Sequence, residues 1–269
     1  MRRLRALPFF CENLGMGTNS KNCATALALL LWLPALAGAQ PAPKAGGHET
    51  GEPWANPKDG LTYLWIPPGT FSMGCSPGDK ECGRDEKPAH LVTLTKGFWL
   101  SRTLVTQQAY QRVTGKNPSE FKGPNLPVES LDWNEAKAYC TAVGARLPTE
   151  AEWEWAARAR VTGSRYGILD RIAWHSGNSG SKTHEVGKKL ANDFALDDML
   201  GNVWQWVADW YGDYSAEARS DPSGAENGRY KALRGGSWYF DHRYIRLSSR
   251  DKSEPDNRSN DIGFRCAAD

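Results

Sequence analysis

Apolar and polar positions alternate along this chain only in short, scattered runs. Residues 61–66 form a β-like stretch stopped by Pro67-Pro68-Gly69. Residues 70–74 and 90–95 follow, with Val92 and Leu94 alternating with polar neighbours as in a half-buried strand. Helical spacing then takes over. Residues 107–114 lie between Thr106 and Gly115, a good stop residue. Residues 134–143 follow Asp132 and end at Gly144. Thr149-Glu150-Ala151-Glu152 is a capping box ahead of Trp153, Ala156 and Ala157. Beyond Val161 turn signals dominate, with β-like pieces at 201–207, 230–238 and 262–267. The pattern predicts one mixed α+β domain over 61–269, poor in regular structure and without internal repeats.

The first 60 residues read differently. Arg2, Arg3 and Arg5 precede an apolar run at 24–39, which is interrupted by Pro34 and ends in Ala37-Gly38-Ala39. That run is too short for comfortable bilayer spanning, and its end is a small-x-small cleavage pattern. Residues 1–39 are therefore expected to be a secretory signal peptide, with Met1 or Met16 as its start, and not a stable membrane insertion. Residues 40–60, rich in Pro, Gly and Ala, are expected to form a flexible tether. The protein is expected to be exported, either periplasmic or secreted.

This division changes the composition. The 269 residues carry 33 basic and 31 acidic side chains, a formal charge of +2. Four of the basic residues and one acid precede residue 40, which leaves 29 basic against 30 acidic. Such a balance does not point to a nucleic-acid partner. Cys11 and Cys23 leave with the signal, and Cys75, Cys82, Cys140 and Cys266 remain. An even number of cysteines in an exported chain points to disulfides, in any of three pairings. Cys75 and Cys82 share a short Gly/Pro/Asp loop that favours a local bridge, which would leave Cys140 for Cys266. Twelve Trp residues imply an aromatic-rich core or surface. No nucleophile elbow, phosphate loop, dinucleotide fingerprint or zinc-protease motif occurs.

Four segments carry a more specific signal: RLPTEAEWEWAAR at 146–158, GNVWQW at 201–206, RGGSW at 234–238 and IGFRC at 262–266. Together and in this order they resemble the formylglycine-generating-enzyme, or sulfatase-modifying factor, domain family. The resemblance covers roughly residues 61–269. It implies an α+β fold, a low-regularity variant of the C-type lectin fold, and a Cys140–Cys266 disulfide. Within these motifs Arg146, Arg234 and Arg265 are expected to act as buried or half-buried hydrogen-bonding hubs.

The family's founding enzymes oxidise a cysteine of a sulfatase peptide with oxygen, using copper held by two thiolates shortly after the GGS segment. Thiolates suit soft Cu(I). Counted without gaps from Gly235, those positions fall here on Phe240 and Ile245, so copper is not expected. The resemblance also implies a structural calcium at Asp198, Asn202 and Gln205, with Gln205 where the family carries Glu. The segment replacing the copper ligands offers Ser237, Asp241 and His242 as candidate catalytic groups. Tyr239, Phe240, Arg243, Tyr244 and Ile245 are candidate binding groups. Two functions follow. One is modification or maturation of a peptide or peptide-like molecule by a route other than copper and cysteine. The other is non-enzymatic recognition of a ligand or protein partner by the 239–245 surface. A closed cavity gathering Ser237, Asp241 and His242 would favour the first, and an exposed patch the second.

Overall fold

The computed structural model describes residues 47–269. The expected signal peptide, Cys11, Cys23 and the first part of the expected tether lie outside them. No helix among the described residues is long and apolar enough to cross a membrane.

Three small sheets and four short helices make up the domain. The first sheet joins β1 (Pro53–Ala55), β2 (Thr62–Ile66), β5 (Phe98–Ser101) and, at its far edge, β11 (Ala267–Ala268). β3 (Gly69–Met73) and β4 (His90–Leu94) form a hairpin, and β7 (Arg219–Ser220) pairs in parallel with β4. The third sheet has β6 (Trp204–Trp210) at its centre, flanked by β10 (Ile262–Phe264) and β8 (Lys231–Arg234), with β9 (Arg250–Ser253) outermost. The expected tether is too long at its C-terminal end. Pro53–Ala55 pairs antiparallel with β2, and Asn56 and Asp59 are buried. The Asn56 amide donates to the carbonyl of Val143, and Asp59 accepts from Tyr63 and Tyr139. These groups tie the entering chain to the core by polar contacts that a hydrophobicity pattern does not register.

The helices form where local chemistry asks for them. α1 (Gln107–Thr114) is capped by the Thr106 hydroxyl and stopped by Gly115 at φ +73°. α2 (Trp133–Ala142) has a capping box of Asp132 and Glu135. α3 (Glu150–Arg158) has the Thr149–Glu152 box expected from sequence. α4 (Leu169–Ile172) is a single turn. Trp153 of α3 and Trp204 and Trp206 of β6 are all but fully buried and fill the space between sheets and helices. The Cys75–Cys82 and Cys140–Cys266 pairings are both present.

Between these elements the buried surface is unusually ionic. Glu154 accepts from Arg234, from Arg158 at 2.9 Å and from the backbone N–H of Gly74 at 2.9 Å. Arg250 grips Glu150 at 2.6 and 2.9 Å. Burial opposes the charge of Glu150, yet Arg250 and Arg234 hold it below the usual carboxylate range. Asp209 of β6 accepts from the N–H of Glu150 at the start of α3, 2.8 Å away. It has no cation bonded to it. Burial first, and then the Glu150 carboxylate, push it up to about 8.

Two outcomes are expected. Glu154→Gln strands two buried guanidinium groups and should cost about 3–5 kcal/mol in urea unfolding; a loss below 1 kcal/mol would contradict the network. The folded state also keeps the Asp209 proton over a range where the unfolded chain has lost it. Its contribution is therefore complete below about pH 4 and declines as pH rises through about 8. Asp209→Asn, which keeps an acceptor for the Glu150 amide, should remove that part of the pH dependence of stability.

Candidate functional site

The RGGSW segment leaves β8 through a forced turn. Gly235 and Gly236 sit at φ +98° and +78°. A Cβ on Gly236 would lie 2.4 Å from Ile245 Cδ1, and one on Gly235 would lie 2.7 Å from the Met199 carbonyl. Two tight glycines thus fold the chain back on itself and throw the next residues outward. The Ser237 hydroxyl turns inward and donates to Asp261 at 2.9 Å. Trp238 meets Phe121 edge-on, and its indole N–H donates to the Asn260 carbonyl.

An aromatic cluster follows. Phe240 is half-buried and meets Trp204, Tyr239 and Tyr244 in T-shaped pairs, with ring centroids 5.5, 5.7 and 5.0 Å apart. Tyr239 is 67% exposed and Tyr244 41% exposed. Around them Arg243 pairs with Asp241 at 2.7 Å, and this hydrogen bond holds the Asp241 carboxyl down at about 2. His242 lies 3.2 Å from Glu81. Arg165 donates to the carbonyls of His242 and Ile245. Arg246 anchors the end of the turn to Glu86 and Asp79, so the Cys75–Cys82 loop braces the surface from behind.

Ser237, Asp241 and His242 are therefore not brought together. Each is engaged by a different partner, and none bonds to another. Ile245, expected in the binding surface, is completely buried in the core instead, because the glycine turn points it inward. Tyr239, Phe240, Arg243 and Tyr244 do form one surface. Sequence reasoning missed Arg165, Glu81 and Arg246. They reach this surface from distant loops and carry no local periodicity.

Neither metal implied by the resemblance fits these residues. Phe240 and Ile245 have no donor atom, and Cys75, Cys82, Cys140 and Cys266 are all in disulfides. At the turn expected to hold calcium, Gln205 Oε1 already accepts from Trp153 at 2.9 Å and Arg265 at 2.7 Å. Its amide N–H group donates to the carbonyls of Asp198 and Met199. Arg265 donates to the carbonyls of Asp197 and Asp198. Asn202 clamps both backbone groups of His184, and Asp198 accepts from Gly187. A hard cation needs six to eight oxygens, and here N–H donors hold the carbonyls. No group of three or more His, Cys, Asp or Glu among the described residues is arranged to hold a metal.

Residues 49–269 match the model of the sulfatase-modifying factor enzyme 1-like domain. A formylglycine-generating enzyme of Streptomyces coelicolor is 31% identical, the match covering 87% of this chain and 97% of that one. The inactive Cα-formylglycine-generating enzyme 2 of Mus musculus is 35% identical over 53% of this chain and about half (49%) of its own length. Among solved structures, Treponema denticola variable protein 1 superposes with a TM-score of 0.73 at 29% identity, covering 81% of this chain and 98% of that one.

Arg265 and Gln205 holding the carbonyls predicts that millimolar EDTA leaves the melting temperature unchanged. A rise of several degrees on adding calcium to the chelated protein would show instead that these oxygens accept the ion.

Proposed function

Because this chain belongs to the sulfatase-modifying factor enzyme 1-like family, we propose that it is an exported recognition member of it, binding a peptide or peptide-like partner across the surface of Tyr239, Phe240, Arg243 and Tyr244. The observation that carries this reading is the exposure of Tyr239 and Tyr244 on a ring-packed base. Tyr supplies large contact area with few rotatable bonds, and rigid aromatic anchors of this kind dominate recognition surfaces. The Asp241–Arg243 pair adds polar groups at the rim.

Catalysis by paired thiolates lacks its ligands in this reading. Modification by another route lacks a convergent set, since Ser237, Asp241 and His242 are committed elsewhere. The name of the inactive mouse relative indicates that the family includes members without the activity. Export is supported by the two disulfides, which persist in oxidising compartments.

Peptides selected from a displayed library on the wild-type domain should bind Tyr239→Ala/Tyr244→Ala at least about tenfold more weakly, as expected for two aromatic anchors. The melting temperature should not change, and no Cu(I) should bind stoichiometrically while both disulfides are intact. Equal binding by the double variant would remove the surface from consideration. A change in peptide mass after incubation with the protein would establish modification in place of recognition.

A further inference from the structure

A second polar cleft of about 460 Å³ lies between α3, β4, β6 and the loop carrying β7. It is separate in composition from the 239–244 surface. Its loop wall is built to close over Asp209. A Cβ on Gly224, at φ +77°, would lie 2.6 Å from Asp209 Cβ, so only glycine lets the backbone come this near. Asp221 ties the same loop to Thr95 at 2.6 and 2.8 Å, and Ala225 bridges to Trp210.

Two side chains on the lining are more than nine-tenths buried yet incompletely partnered. His90 is 8% exposed, and its Nδ1 lies 3.2 Å from the Pro88 carbonyl. A carbonyl only accepts, so Nδ1 carries the hydrogen and Nε2 is left as an acceptor without a partner. Asp209 is 3% exposed; one oxygen accepts from the Glu150 N–H, and the other has no donor. Neither open atom is among the fully enclosed unsatisfied atoms, so each touches solvent, and both residues line the cleft. The charges agree with this donor deficit. Glu150, Asp213 and Asp221, joined by Asp209 once it ionises, line the cleft against Arg219 and Arg250, and Arg250 is spent on Glu150.

A cleft with two open acceptors, surplus negative charge and no cation on Asp209 lacks a compact group with several N–H donors. We propose that it binds an organic ammonium ion, a primary amine of lysine-side-chain size. The ammonium would sit between Asp209 and His90 Nε2, and its methylenes would lie along Tyr214 and Pro222. An ammonium has three donors and no acceptor, which complements this lining. It also supplies the counter-charge with which buried Asp209 can ionise. The volume suits a small molecule or one long side chain.

Isothermal titration with 1,5-diaminopentane should give saturable one-site binding that tightens from pH 6.5 to pH 8.5 as Asp209 gives up its proton, whereas 1,5-pentanediol, matched in length but uncharged, should give none at either pH. Asp209→Asn keeps the acceptor for Glu150 but loses the charge, and should weaken binding by at least about tenfold. His90→Phe keeps the ring shape and should do the same. Amide NMR shifts on adding the diamine should centre on residues 209–225 and 90. Should either variant fail to fold, the wild-type shift map and the diol control decide. Binding of the diol as well as the diamine, shifts confined to 239–244, absence of binding up to tens of millimolar, or full affinity in a folded Asp209→Asn would each overturn the assignment.

Discussion

A fold with so little regular structure must still satisfy its buried backbone carbonyls, and here guanidinium groups carry that duty. Arg265 donates to the carbonyls of Ser101, Arg102, Asp197 and Asp198. Arg234 reaches Leu247 and Ser248, Arg250 reaches Asp85 and Gly212, and Arg158 reaches Gly74. An unpaired buried carbonyl costs free energy comparable to a lost hydrogen bond. One planar fork with five donors settles several carbonyls at once, at points no strand could reach. The forks of Arg158, Arg234 and Arg250 then need neutralising, and Glu150 and Glu154 of α3 do this from the core side. The short helix is thus an electrostatic hub as well as a packing element. Its apolar face supplies Trp153, and its carboxylates hold the loops.

This division explains what the sequence disclosed. The first three of the four helices were legible because their signals are local: a cap, a box and a glycine within a few residues. Arg234 and Arg265 were legible as hubs through their motifs. β9 was not, since Arg-Asp-Lys-Ser has no apolar alternation and becomes a strand only by pairing with β8. β5 was missed for the opposite reason. Its apolar run, Phe98-Trp99-Leu100, is too short to show alternation, and its register comes from β2. Pro53–Ala55 looked like tether because its contacts are a strand partner and buried polar side chains downstream.

The site shows the same limit. The 239–245 segment was legible as the chemically varied stretch of a framed motif. Which of its residues face out was not, because that depends on Gly235 and Gly236 packing against Met199 and Ile245. Ile245 and Ser237 consequently belong to the frame, while Tyr239 and Tyr244 belong to the surface. The His90 and Asp209 cleft left no sequence trace at all. Its lining comes from four elements spread along the chain between His90 and Ala225.

The Cys140–Cys266 bridge gives the domain a covalent topology that differs from its linear order. It closes a ring of chain that contains β6, β8 and the whole aromatic surface. Residues 223–229, on the exposed side of the second cleft, lie within that ring. A single backbone cut there would open the ring without releasing a fragment. The piece bearing Tyr239 and Tyr244 would stay fastened to α2 through sulfur, and its guanidinium contacts to α3 would remain in place. The staple thus makes a nicked molecule one that still presents its surface.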